Sequence, residues 1–179
     1  MAGSANAPII VTALMGREDF AWADALRSAH FPPERNRVAA HLTLFHHLPP
    51  SALEPLKRLL AAHAREAPSP AARITRLIGL GQGVALGVES PGLASIRAHI
   101  AEAMRGLLTP QDSAPWRPHI TVQNKVAPTA ARALLHALRV DFEPRPICLA
   151  GLAAYWYRGG AWEPIAEYRF SRSGRGRRS

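Results

Sequence analysis

With only one cysteine, Cys148, the 179-residue chain can form no intramolecular disulfide, and the apolar neighbours Ile147 and Leu149 predict a small core side chain at that position. No apolar run approaches the ~20 residues needed to span a bilayer, so no membrane partner is expected. Residues 1–7 contain neither a basic stretch nor a long apolar core. No secretory signal is expected, and a reducing, cytoplasmic setting is the default. Acidic residues are few, 13 against 22 Lys and Arg. The resulting net charge of +9 suits an anionic ligand without identifying one. Four of those charges, Arg172, Arg175, Arg177 and Arg178, fall in residues 171–179, a Gly/Ser/Arg tail expected to be disordered. Such a tail is either a solvated terminus or a non-specific phosphate-binding arm.

The remainder is ordinary globular sequence, 47% hydrophobic, long enough for one domain or for two small lobes sharing a core. Residues 8–14 read as a buried strand. Residues 17–30 read as a helix with Phe20, Ala23 and Leu26 on one face. After a Pro-containing loop, a strand is predicted over residues 38–47. Ser51 to Glu54 has the pattern of a capping box opening a helix with a stripe of Leu53, Leu56, Leu59 and Leu60. A strand over residues 72–80 follows. Gly79, Gly81 and Gly83 lack the Lys and Ser/Thr of a phosphate-binding loop and are not followed directly by a helix, so they predict a hairpin turn into a strand at 84–88. Ser90 caps a helix with an apolar stripe from Leu93 to Leu107, and residues 109–118 form a loop. A strand then runs to about 126, and a helix starts at Pro128. Residues 145–157 and 162–170 read as two strands joined through Arg158-Gly159-Gly160.

Within this order one tetrapeptide occurs twice, as His41-Leu42-Thr43-Leu44 and His119-Ile120-Thr121-Val122. Side chains alternate along a strand, so each copy buries an aliphatic pair and turns an imidazole and a hydroxyl to its other face. The two histidines are 78 residues apart, and the helix starts at Ser51 and Pro128 are 77 apart. The spacing indicates duplication of a whole lobe. Two such lobes packed about a pseudo-twofold axis would place both imidazoles in one cleft. The expected domain is therefore a single bilobal unit over residues 1–170, with lobes near 8–80 and 83–170 that can exchange strands.

Two imidazoles in one cleft can divide acid and base roles near neutral pH. They suit in-line displacement at phosphorus, with the threonine hydroxyls donating to non-bridging oxygens. No cluster of Asp, Glu or Cys accompanies the motifs, so neither a metal nor another cofactor is expected.

The paired motifs, with their extensions from His41 to Leu48 and from Arg117 to Val126, resemble those of the 2H phosphoesterase superfamily, which includes the RNA 2′,5′-ligase and 2′,3′-cyclic phosphodiesterase proteins. Ala40 departs from that pattern, standing where proline precedes the first histidine. The resemblance implies an α+β fold of two lobes, each a mainly antiparallel sheet with helices on its outer side, and an active-site cleft between them. It implies catalytic His41 and His119, with Thr43 and Thr121 on the phosphate. Its expected substrates are RNA ends or nucleotides bearing a 2′,3′-cyclic phosphate, with reversible 2′,5′ ligation as a related activity. A small cyclic nucleotide derivative, or RNA binding without turnover, are the other readings. Phe45 and Gln123 share the nominal motif face and could line the cleft. Trp116, Tyr155, Trp156 and Tyr157 could stack on a base or form core. Arg117, Lys125 and Arg158 are candidate phosphate or ribose contacts. His46 and His47 close the first motif strand, with His47 nominally on the face of His41.

Overall fold

The computed structural model describes residues 6–171; the tail arginines lie outside the described residues. Among the described residues eight strands form two four-stranded antiparallel sheets. The first runs β2 (Leu42–Leu48), β1 (Ile9–Met15), β7 (Leu149–Trp156), β8 (Glu163–Arg169). The second runs β5 (His119–Gln123), β4 (Val84–Glu89), β3 (Ala72–Gly79), β6 (Arg145–Ile147). The two orders correspond under a pseudo-twofold, with β2 matching β5 and β1 matching β4. Each sheet nevertheless draws strands from both halves of the chain. β3, made in the first half, pairs with β4, while β7 returns to pair with β1. The edge strands β2 and β5, which carry the two motifs, lie against each other. α2 (Leu53–Glu66) packs on β7 and β8, and α5 (Pro128–Val140) packs on β3 and β4.

The central strands owe their position to composition. β1 is Ile-Ile-Val-Thr-Ala-Leu-Met, almost wholly buried, and β4 is buried from Val84 to Val88. The turn between β3 and β4 is a hairpin, with Leu80 N–H donating to Gly83 O at 2.9 Å. Gly81 has φ +82 there. Gly83 is required for a different reason, because a Cβ on it would collide with the backbone of Gln123 and Asn124. Gly83→Ala is therefore expected to displace the end of β5, at a cost of about 1–3 kcal/mol. Chemical denaturation measures this, and a loss within about 0.5 kcal/mol would contradict the close approach.

Four expectations change. The predicted strand over 145–157 is two strands in different sheets, broken at Cys148. Asp19 holds the crossing point, accepting from Arg145 Nη2 at 2.9 Å and from Cys148 N–H at 2.7 Å. Cys148 is consequently exposed rather than buried in the core. In α1 (Arg17–His30) the buried residues are Ala23 and Arg27, while Phe20 is 38% exposed. The capping box at Ser51 is not made. A 3-10 turn (Pro50–Ala52) leads into α2 without a side-chain cap. By contrast, α3 (Pro91–Ala103) is capped by Ser90, whose Oγ accepts from Leu93 N–H.

The lobes are joined by two buried arginines in equivalent places. Arg27, on the helix between β1 and β2, donates to Thr121 O on β5 at 3.0 Å. Arg97, on the helix between β4 and β5, donates to Leu44 O on β2 at 2.9 Å and to Asp112 O at 2.7 Å. Each motif strand is thus braced by a guanidinium from the opposite half.

Candidate active site

A cavity of about 360 Å³ lies between the motif strands, lined by His41, Thr43, His119 and Thr121 among others. Both histidines are oriented alike. His41 Nδ1 lies 2.8 Å from Ala39 O and His119 Nδ1 lies 2.7 Å from Arg117 O. A carbonyl can only accept, so Nδ1 carries the hydrogen in each ring and Nε2 is left to exchange protons. Ala40, where the resemblance leads one to expect proline, uses the N–H that proline lacks: it donates to Asp24 Oδ1 at 2.8 Å.

Phe45 and Gln123 do not line this cavity. Each motif strand contains a bulge: Thr12 faces Thr43 and Val11 faces Phe45, while Ala85 faces Thr121 and Val84 faces Gln123. Leu44 and Val122 are the extra residues, and the alternation slips by one beyond them. Phe45 therefore turns into the core beneath the Arg97 guanidinium, 4.7 Å from its ring centroid. Gln123 is buried, with no partner for its Oε1 among the described residues.

The same slip carries His46, and not His47, to the cleft. Its Nδ1 lies 3.0 Å from Asp112 Oδ1, and Asp112 also accepts the N–H groups of His46 and His47. Asp112 sits in α4 (Pro110–Ser113), a short helix within the predicted loop 109–118, and is 1% exposed. Burial alone would raise its pKa. The hydrogen bonds from His46 and His47 outweigh that and hold the carboxyl below its ordinary value.

Trp116 and Arg117 do line the cavity, and Trp116 Nε1–H donates to Thr43 O at 3.0 Å. Tyr155 borders the neighbouring cavity beyond His41. Lys125, Tyr157 and Arg158 line neither. Lys125 is exposed with φ +62, Tyr157 is exposed, and Arg158 Nε donates to Glu163 at 2.7 Å. Trp162 is a cleft residue that sequence reasoning missed. Its ring centroid lies 4.5 Å from that of His41. An aromatic directly after Gly159-Gly160-Ala161, in a segment too short to be core, was the available signal.

Burial pushes the His41 pKa down from 6.5 to about 4, and the charges of Arg27, His119 and His46 add to the effect against the raising hydrogen bond to Ala39 O. An unfolded chain protonates this imidazole near 6.5, so it contributes stability above that pH which is lost as pH falls through about 4. An anion beside it opposes the shift. We expect nitrogen-detected NMR to show His41 titrating near 4 in the free protein and at clearly higher pH with saturating phosphate. A midpoint near 6.5 without ligand, or no change with it, would contradict this electrostatic account. Among the described residues no group of three or more His, Cys, Asp or Glu side chains is placed to hold a metal ion, and no helix is long and apolar enough to cross a membrane.

The 2′-5′ RNA ligase superfamily profile matches residues 16–161. No curated protein matches the sequence. Among solved structures, the fold is similar to TT0787 of Thermus thermophilus (TM-score 0.62, 15% identity, 93% of this chain and 99% of that one). It is similar also to a structure described as a phosphoesterase (0.61, 22%, 93% and 99%) and to E. coli LigT complexed with 3′-AMP (0.58, 19%, 93% and 99%).

Proposed function

The chain belongs to the 2′-5′ RNA ligase superfamily, and on that premise we propose that it is a metal-independent phosphodiesterase that opens 2′,3′-cyclic phosphates on RNA ends or nucleotides, with 2′,5′ ligation as the related reversible activity. One observation carries the reading: two imidazoles with matching Nδ1 anchors and two threonines line a single cavity of about 360 Å³. A binding module would need hydrogen-bond donors but not two proton-exchanging groups. E. coli LigT has been crystallised with 3′-AMP and with phosphate, ligands of the size and charge that the cavity would accept.

In this scheme His119 Nε2 takes a proton from water as its oxygen attacks phosphorus. The bond from phosphorus to O3′ breaks, and His41 Nε2–H supplies the proton that O3′ needs, leaving a 2′-phosphate and a 3′-hydroxyl. Thr43 and Thr121 hydroxyls donate to the non-bridging oxygens, where negative charge concentrates. The acid's part requires His41 to be protonated, whereas the protein by itself keeps it neutral with a pKa of about 4. A phosphodiester bound between the histidines brings the negative charge that raises it, so the acid is formed largely by substrate binding.

Turnover of a panel of 2′,3′-cyclic nucleotides and cyclic-phosphate-terminated oligonucleotides, run with chelator, is the test. The expected result is a 2′-phosphate product at a rate insensitive to the chelator. No turnover of any member, or activity lost on chelation and restored by a divalent metal, would overturn the proposal.

A further inference from the structure

Beyond the paired rings of His41 and Trp162 the cleft opens into a second cavity of about 650 Å³, well within the range of small-ligand sites. His41 and Trp162 line both cavities, so a molecule occupying one can extend into the other. Among the described residues its charged lining is Arg17, Arg37 and Arg169 against the carboxylate of Glu167, a surplus of two positive charges. Glu167 is engaged by Arg169 at 3.5 Å, whereas Arg17 and Arg37 form no ion pair among the described residues. The apolar side is aromatic. Tyr155 lies 5.6 Å from Trp162 between ring centroids, and Phe20, the α1 residue that fails to enter the core, faces the same space. Guanidinium groups unpaired by carboxylates fit a phosphate diester, and exposed aromatic faces fit a base. Both are found here at one-nucleotide scale, adjoining the proposed reaction site.

We infer that this second cavity binds the penultimate nucleotide, the one 5′ to the nucleotide that bears the reacting phosphate, with the phosphate linking the two on Arg17 and Arg37 and its base against Phe20, Tyr155 and Trp162. The inference rests on the proposed reaction and narrows its substrate to RNA ends of two or more nucleotides in preference to mononucleotides.

The experiment compares adenosine 2′,3′-cyclic phosphate with the dinucleotide ApA ending in a 2′,3′-cyclic phosphate, on the full chain and on an Arg17→Gln/Arg37→Gln double variant. The wild type should favour the dinucleotide in kcat/KM by about 10- to 100-fold. The double variant should bring that ratio close to one, and the matching Arg→Lys double variant should retain most of it. A wild-type ratio near one, or a ratio that the Gln substitutions leave unchanged, overturns the subsite. Calorimetry with the non-cyclic 3′-phosphates, 3′-AMP and ApA 3′-phosphate, separates this outcome from failure of the reaction itself. If neither cyclic substrate turns over, the proposed reaction falls and the affinity ratio decides the subsite by the same criteria.

Discussion

His41→Ala and His119→Ala are each expected to lower turnover by about 10²–10⁴-fold, the usual worth of one acid or base group. The double variant should be little worse than the poorer single one, because the two imidazoles act on one transition state. The roles are separable. A leaving group of low pKa needs no proton, so a substrate carrying one should rescue His41→Ala selectively. Rescue of His119→Ala in its place would reverse the assignment, in keeping with the neutral state that burial imposes on His41 in the free protein. Rescue of neither would remove the acid–base basis of the scheme. The threonines supply donors and not protons in flight, so Thr43→Val and Thr121→Val should cost less than either histidine substitution.

Arg97→Ala is expected to destabilise the protein by about 3–5 kcal/mol. The substitution leaves Leu44 O and Asp112 O without their donor and removes the cation lying over Phe45. It also takes positive charge from beside Asp112, whose carboxylate organises His46 and His47. Arg27→Ala should act similarly through Thr121 O and Asn36 Oδ1. Urea unfolding of the two variants measures both losses. A change below about 1 kcal/mol in either would mean that its guanidinium is dispensable as a brace.

The sequence was most informative where a local pattern coincides with a local physical demand. The two His-x-Thr copies, the glycines of the β3–β4 turn and the cap at Ser90 are such places. It was misleading where the deciding contact comes from afar. Nothing in Leu44-Phe45 or Val122-Gln123 announces a bulge, since apolar residues there satisfy either register; the bulge is settled by pairing with β1 and β4. Strict alternation accordingly puts Phe45 and Gln123 on the wrong face, and His47 rather than His46 on the face of His41. The run over residues 145–157 is continuous strand sequence, and its division depends on Asp19, more than a hundred residues earlier. Arg27 and Arg97 look like exposed helix charges until the opposite lobe supplies carbonyls for them.

The return of β7 to β1 also bears on how the protein is made. β1 pairs with β7 along its whole length, from Ile9 opposite Trp156 to Met15 opposite Leu149. During synthesis β1 and β2 leave the ribosome early, yet one edge of β1 stays without its neighbour until nearly the whole chain has followed. An apolar strand with an open edge invites pairing with other chains. Contacts so distant in sequence also form slowly. The sheet bearing Thr43 is therefore completed late, and the nascent chain must keep one edge of an apolar strand open through most of translation.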